Sequence, residues 1–178
     1  QDMLNMSVKT ELTDLTQVME KLRSEAFVDK SKMSLFGASQ GGVVASLYAA
    51  AYPDRVHKLL LIFPAFVLFD DAKETYRELG SPDFDQLPDS LTHHNATMGK
   101  IYLIDALDID IQAEQTKITA PTLIIHGTDD AVVPYQYAVQ ASQTIPNAKL
   151  VTVEGGEHRI DERFAITAAP AIQKFLKE

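Results

Sequence analysis

Two hydrophobic rhythms alternate along the chain. Val8, Leu12, Leu15, Val18, Met19 and Leu22 recur at helical spacing, which predicts an amphipathic helix over residues 8–25. "VDKSK" (28–32) reads as a turn and "MSLF" (33–36) as a short buried strand. A second helix follows a glycine cluster, from about Gly41 to Ala51, and stops before Pro53, whose ring disfavours helix in the residue ahead of it. "VHKLLLIF" (56–63) is apolar without alternation, the pattern of a strand covered on both faces. Further on, "PTLIIHG" (121–127) and "AKLVTVEG" (148–155) read as strands around a helix at "YQYAVQASQTI" (135–145). "RFAITAAPAIQKFLKE" (163–178) closes the chain as a helix that Pro170 should kink, or whose true start it should mark.

Alternating strands and helices imply an α/β fold, a mostly parallel sheet flanked by helices, in one domain spanning residues 1–178. Residues 64–117 break the rhythm. They hold eleven acidic residues against four basic ones and are cut into short pieces by Pro82 and Pro88, so they are expected to form an insertion over one end of the sheet. Composition adds exclusions. A hydrophobic content of 46% supports a core, and a net charge of −9 argues against nucleic acid or an anionic membrane surface as partner. No apolar run is long enough to span a bilayer. The absence of cysteine removes disulfides, thiolate metal sites and a cysteine nucleophile. No leader is visible, which leaves a cytoplasmic location as the expectation, although the chain starts at Gln1 rather than methionine.

The chemistry starts at Gly37-Ala38-Ser39-Gln40-Gly41, a G-x-S-x-G pattern between a strand and a helix. The turn is so tight that Ser39 must take strained backbone angles, and side chains at 37 and 41 are expected to collide with the neighbouring strand and helix. A serine hydroxyl needs a base. His57 lies within the apolar strand 56–63 and reads as a strand-end or edge residue, His93 and His94 read as solvated loop, and His126 reads as a packing or hydrogen-bonding residue at a strand end. His158 follows "EGGE" after a strand, at the sheet edge toward which Ser39 points, and is the candidate base. The imidazole in turn needs an acid. "HGTDDAVVP" (126–134) offers Asp129 and Asp130 just beyond a strand end; both could be loop acids capping the helix at 135, but the order serine, acid, histidine favours one of the two as the triad acid and leaves open which.

The three segments "GASQGG", "HGTDDAVVP" and "GGEH" resemble the motif set of the α/β-hydrolase superfamily. They are similar in particular to its small serine esterases, including the feruloyl/cinnamoyl-esterase-like group. The resemblance implies Ser39 as nucleophile, Asp130 rather than Asp129 as acid, His158 as base and the Gln40 N–H as one oxyanion donor. It also implies that residues 64–117 are the cap, and the aromatics within it, Phe66, Phe69, Tyr76, Phe84 and Tyr102, are candidates either for lining an acyl site or for a packed cap interior. No metal or organic cofactor is implied, and the expected substrate is a small-molecule ester. Proteins of this kind carry further strands, and a second oxyanion donor, ahead of the helix at 8–25. The chain is therefore expected to be part of a larger hydrolase, with the strand at 33–36 left open to a missing N-terminal segment or to a second copy. Peptidase, thioesterase, lactonase and acyltransferase activities use the same triad, and a non-catalytic fragment is the rival from another class.

Overall fold

A computed structural model of the chain describes residues 3–93 and 96–178. Helix α1 (Val8–Ser24) leads to strand β1 (Leu35–Ala38), helix α2 (Gln40–Ala51) and strand β2 (Leu59–Ile62). An excursion follows: α3 (Leu68–Glu78), the antiparallel pair β3 (Ser90–His93) and β4 (Ala96–Gly99), α4 (Lys100–Leu107) and α5 (Ile111–Thr116). The chain then returns through β5 (Thr122–Gly127), α6 (Gln136–Thr144), β6 (Ala148–Val153) and α7 (Glu162–Lys177).

β1, β2, β5 and β6 form a parallel sheet in that order. The unbroken apolar runs follow from its two covered faces. Leu59, Leu61 and Ile124 enter one cluster with Val43 and Leu47 of α2 and Ala138 and Ala141 of α6. Leu60, Ile62, Leu123 and Ile125 point the other way, onto Phe164, Ala168 and Phe175 of α7. Each strand thus keeps its period of two while looking hydrophobic throughout. Among the described residues β1 pairs with β2 alone, and its Phe36 is exposed.

Helix α1 is held at its start by a capping box, in which Ser7 Oγ accepts from Thr10 N–H and Thr10 Oγ1 accepts from Ser7 N–H. Val8 and Met19 are buried and Leu12 and Leu15 pack beside them, whereas Val18 and Leu22, expected on the same stripe, are exposed. Pro170 does not mark the start of α7. Asp161 caps the helix by accepting from Phe164 N–H, well upstream, and the helix runs through the proline. The missing proline N–H would have bonded the Ile166 carbonyl, and both residues lie on the exposed side of the helix. His57 precedes β2 and is exposed, with its N–H on the Met33 carbonyl at 2.7 Å. His93 lies in β3 rather than in a loop, and His94 lies outside the described residues. No described helix is long and apolar enough to cross a membrane.

Candidate active site

Strand β1 ends at the serine. Ser39 N–H donates to the Ile62 carbonyl at 3.0 Å, and the Ser39 carbonyl accepts from Gly42 N–H (2.9 Å) and Ala65 N–H (3.0 Å). These bonds hold Ser39 at φ +52° and ψ −128°, a conformation that costs a side-chain-bearing residue about 1–3 kcal/mol. The packing around the turn differs from the expectation at one glycine. A Cβ on Gly37 would lie 2.3 Å from the Gly41 carbonyl oxygen, but a Cβ on Gly41 would meet nothing within 4 Å. The second close approach falls on Gly42, where a Cβ would come within 2.9 Å of Pro64 Cβ, because α2 turns that position toward the chain leaving β2.

Ser39 occupies the N-cap position of α2, where a serine ordinarily bonds the first turn of its helix. Its hydroxyl makes no such bond and lies 3.0 Å from His158 Nε2 instead. His158 Nδ1 is 2.7 Å from Asp130 Oδ2. The other oxygen, Oδ1, accepts from Val132 N–H (2.9 Å) and Val133 N–H (2.8 Å), and the carboxylate has no exposed surface. Asp129 is exposed and accepts from the Thr128 hydroxyl. The structure therefore brings Ser39, His158 and Asp130 into one hydrogen-bonded line and leaves Asp129 outside it.

The loops carrying the acid and the histidine are laced together. Thr128 N–H donates to the Val153 carbonyl, Asp129 N–H to the Gly156 carbonyl and Gly155 N–H to Thr128 Oγ1. Gly127 has to be a glycine here, since a Cβ would stand 2.1 Å from the Gly156 carbonyl oxygen. Phe63, at φ +36° just past β2, lays its ring against His158 at 4.3 Å between centroids and meets Phe164 edge-on at 5.6 Å. Its position at the end of an apolar run offered no sign of this contact.

Gln40 opens α2, so its N–H has no acceptor within the helix, and it stands beside Ser39 at the positive end of the helix dipole. Its side chain is tied on both sides: Nε2 donates to Glu11 at 2.6 Å and Oε1 accepts from the Tyr102 hydroxyl at 2.8 Å. Burial, assisted by the charges of Glu11 and Asp71, pushes the Tyr102 phenol up to about 12 and keeps it a donor.

Beside Ser39 opens a cavity of about 220 Å³. Val67, Leu68 and Ala72 line it from the start of α3, Leu91 and Met98 from the β3–β4 pair, Tyr102 and Leu103 from α4, and Val132 and Val133 from the acid loop. Asp71 and Thr75 supply polar groups on the α3 wall. Tyr102 therefore borders this space, but Phe66 does not. Ala65 and Val67 face the cavity, so Phe66 between them turns away, into the core and a separate hollow with Phe69 and Tyr137. Tyr76 and Phe84, also considered as lining, stack edge-on against each other instead. Among the described residues no group of three or more His, Cys, Asp or Glu is placed to hold a metal ion.

Known proteins resemble this chain in fold and in sequence. The structure of Est1E from Butyrivibrio proteoclasticus with ferulic acid bound superposes with a TM-score of 0.84 at 29% identity, covering 97% of this chain and 69% of that one. The serine hydrolase BPHL of Mus musculus is 26% identical over 162 residues, 82% of this chain and 55% of that protein. A poly(3-hydroxyalkanoate) depolymerase of Ectopseudomonas oleovorans is 26% identical over 180 residues, 85% of this chain and 63% of that protein. This chain thus spans less than two thirds of the length of either of these curated relatives. The α/β-hydrolase likeness read from three short motifs extends over nearly the whole chain. Since the model of the prolyl oligopeptidase family matches residues 3–178, the chain belongs to that family.

Proposed function

We propose that the site is a serine-hydrolase centre that cleaves carboxylic esters through an acyl-serine intermediate. One observation carries this reading: Ser39 Oγ, at a position where it should cap its helix, is hydrogen-bonded to His158, which is hydrogen-bonded to the buried Asp130. In the proposed reaction His158 Nε2 takes the Ser39 proton as Oγ attacks the ester carbonyl. Asp130 holds the imidazole and stabilises its cationic form. The Gln40 N–H donates to the developing oxyanion, and the alcohol leaves with the proton from His158. Water then repeats the sequence on the acyl-serine.

The apolar cavity at Ser39 suits an acyl group, and the ferulic acid bound to Est1E supports an aromatic, hydroxycinnamoyl-type acyl. The family description supports a second reading, peptide hydrolysis after proline. A fluorophosphonate probe tests the shared part: one label per chain, abolished by Ser39→Ala, is expected. A folded chain that takes no label would remove the hydrolase reading. Methyl hydroxycinnamates, p-nitrophenyl acetate and a prolyl p-nitroanilide then divide the alternatives, with turnover of the esters expected and turnover of the anilide alone pointing to a peptidase.

A further inference from the structure

The acid loop hangs on a histidine that the proposed reaction does not use. His126 is the fifth residue of β5, and its ring has no exposed surface. Nε2 lies 2.9 Å from the Val133 carbonyl oxygen and 3.2 Å from Asp130 Oδ2. A carbonyl only accepts, so Nε2 carries a proton and donates it. Burial holds the imidazole below its ordinary pKa, against the opposing pull of the Val133 carbonyl and Asp130, so the ring is neutral. Nδ1 is then a lone pair, and it is buried without a partner among the described residues. A residue that only filled space would not leave a ring nitrogen unsatisfied, since leucine or phenylalanine avoids that penalty.

The contacts span the loop: His126 at the strand end, Asp130 in the middle and Val133 at its close. Asp130 Oδ1 is occupied by two backbone N–H groups, while Oδ2 lies between two imidazoles, His158 at 2.7 Å and His126 at 3.2 Å. Tyr135 meets the ring edge-on at 6.0 Å, and Thr152 stands opposite His126 in register on β6. The Tyr135 hydroxyl is itself bonded to Thr152 at 2.5 Å, which leaves Asp130 and His158 as the charged or chargeable groups acting on His126.

We propose that His126 is a positioning residue, whose single Nε2–H, shared between the Val133 carbonyl and Asp130, fixes the carboxylate against His158. The inference rests on the reading of Ser39, His158 and Asp130 as a working triad. Three variants test it. His126→Gln can place an amide N–H near Nε2, His126→Asn places it near Nδ1, and His126→Leu has no donor. The readouts are the rate of fluorophosphonate labelling, kcat and KM on p-nitrophenyl acetate, and thermal unfolding. The Gln variant is expected within a few-fold of wild type. The Asn and Leu variants are expected to lose about 10–100-fold in kcat and in labelling rate, with KM unchanged and cooperative unfolding retained. Folded Asn and Leu variants that react at the wild-type rate would overturn the inference, as would a Gln variant as slow as Leu. If Leu alone fails to fold, Gln against Asn decides; if both fail, His126 is a stability residue and the inference falls. A wild-type chain that takes no label overturns the hydrolase reading and this one together, whereas a labelled wild type with indifferent variants overturns this one alone.

Discussion

The two walls of the Ser39 cavity are built by different means. On the sheet side, position is set by main chain: two residues at positive φ, Ser39 and Phe63, glycines where a Cβ would strike backbone, and loops joined by N–H to carbonyl bonds. On the other side, the excursion between β2 and β5 contributes side chains from a helix start, a two-stranded ribbon and a short helix. A wall fixed by main chain can hold reacting atoms to within a fraction of an ångström, as proton transfer demands. A wall of apolar side chains decides what fits. Substitutions on the first wall should therefore change rate, and on the second, selectivity.

The largest expected effect is on the sheet side. Asp130→Asn should lower kcat by about 10⁴-fold, by favouring the wrong His158 tautomer in an otherwise intact fold. Met98→Ala, across the cavity, should leave p-nitrophenyl acetate turnover nearly unchanged and alter kcat/KM for a bulky acyl group by about 1–3 kcal/mol, read as a change in ester preference. If Met98→Ala abolished turnover on all esters, the division between the walls would fail.

Next in size are the glycines. Gly37→Ala should destabilise the chain by about 1–3 kcal/mol in chemical denaturation, because the added Cβ meets backbone oxygen. Gly41→Ala, in open space on a helix, should be stabilising by about 0.5–1 kcal/mol. Equal losses from both would restore the expectation that both positions are crowded.

Tyr102 joins the two walls through Gln40, so Tyr102→Phe sharpens the comparison. Loss of that one hydrogen bond should cost about 0.5–1.5 kcal/mol of stability, with kcat reduced only modestly. The smallest effect concerns acidity. His126 titrates in the folded chain below its ordinary value of 6.5. Above that pH it is neutral in both states; below it, the unfolded chain binds a proton that the folded chain refuses, so stability falls as the pH drops. Thermal unfolding of wild type and His126→Gln should diverge progressively below about pH 6.5, with wild type losing more.

The same contrast explains what could be read in the sequence. The sheet was legible because burial on both faces writes itself as unbroken apolar runs, and Ser39 and His158 because their loops carry glycines at fixed offsets. Residue type alone left Asp129 and Asp130 equivalent. What separates them is loop geometry, which buries Asp130 under the N–H groups of Val132 and Val133. The excursion was opaque because its β3–β4 ribbon is short and only half apolar, and its apolar residues serve two hollows on opposite sides of α3. Adjacent residues such as Phe66 and Val67 therefore part company without any sequence signal. Phe63 was hidden differently, as the last member of an apolar run whose turn to φ +36° no periodicity reveals.

The central claim is that Ser39 becomes acylated, with His158 and Asp130 driving the step. Acid-quenched mass spectrometry of the chain mixed with p-nitrophenyl acetate tests it most directly. The account predicts one acetyl group per chain, mapped to the peptide containing Ser39, formed in a burst with p-nitrophenol release and absent from Ser39→Ala and His158→Ala. Hydrolysis without an adduct, or an adduct on another residue that survives both substitutions, would contradict it.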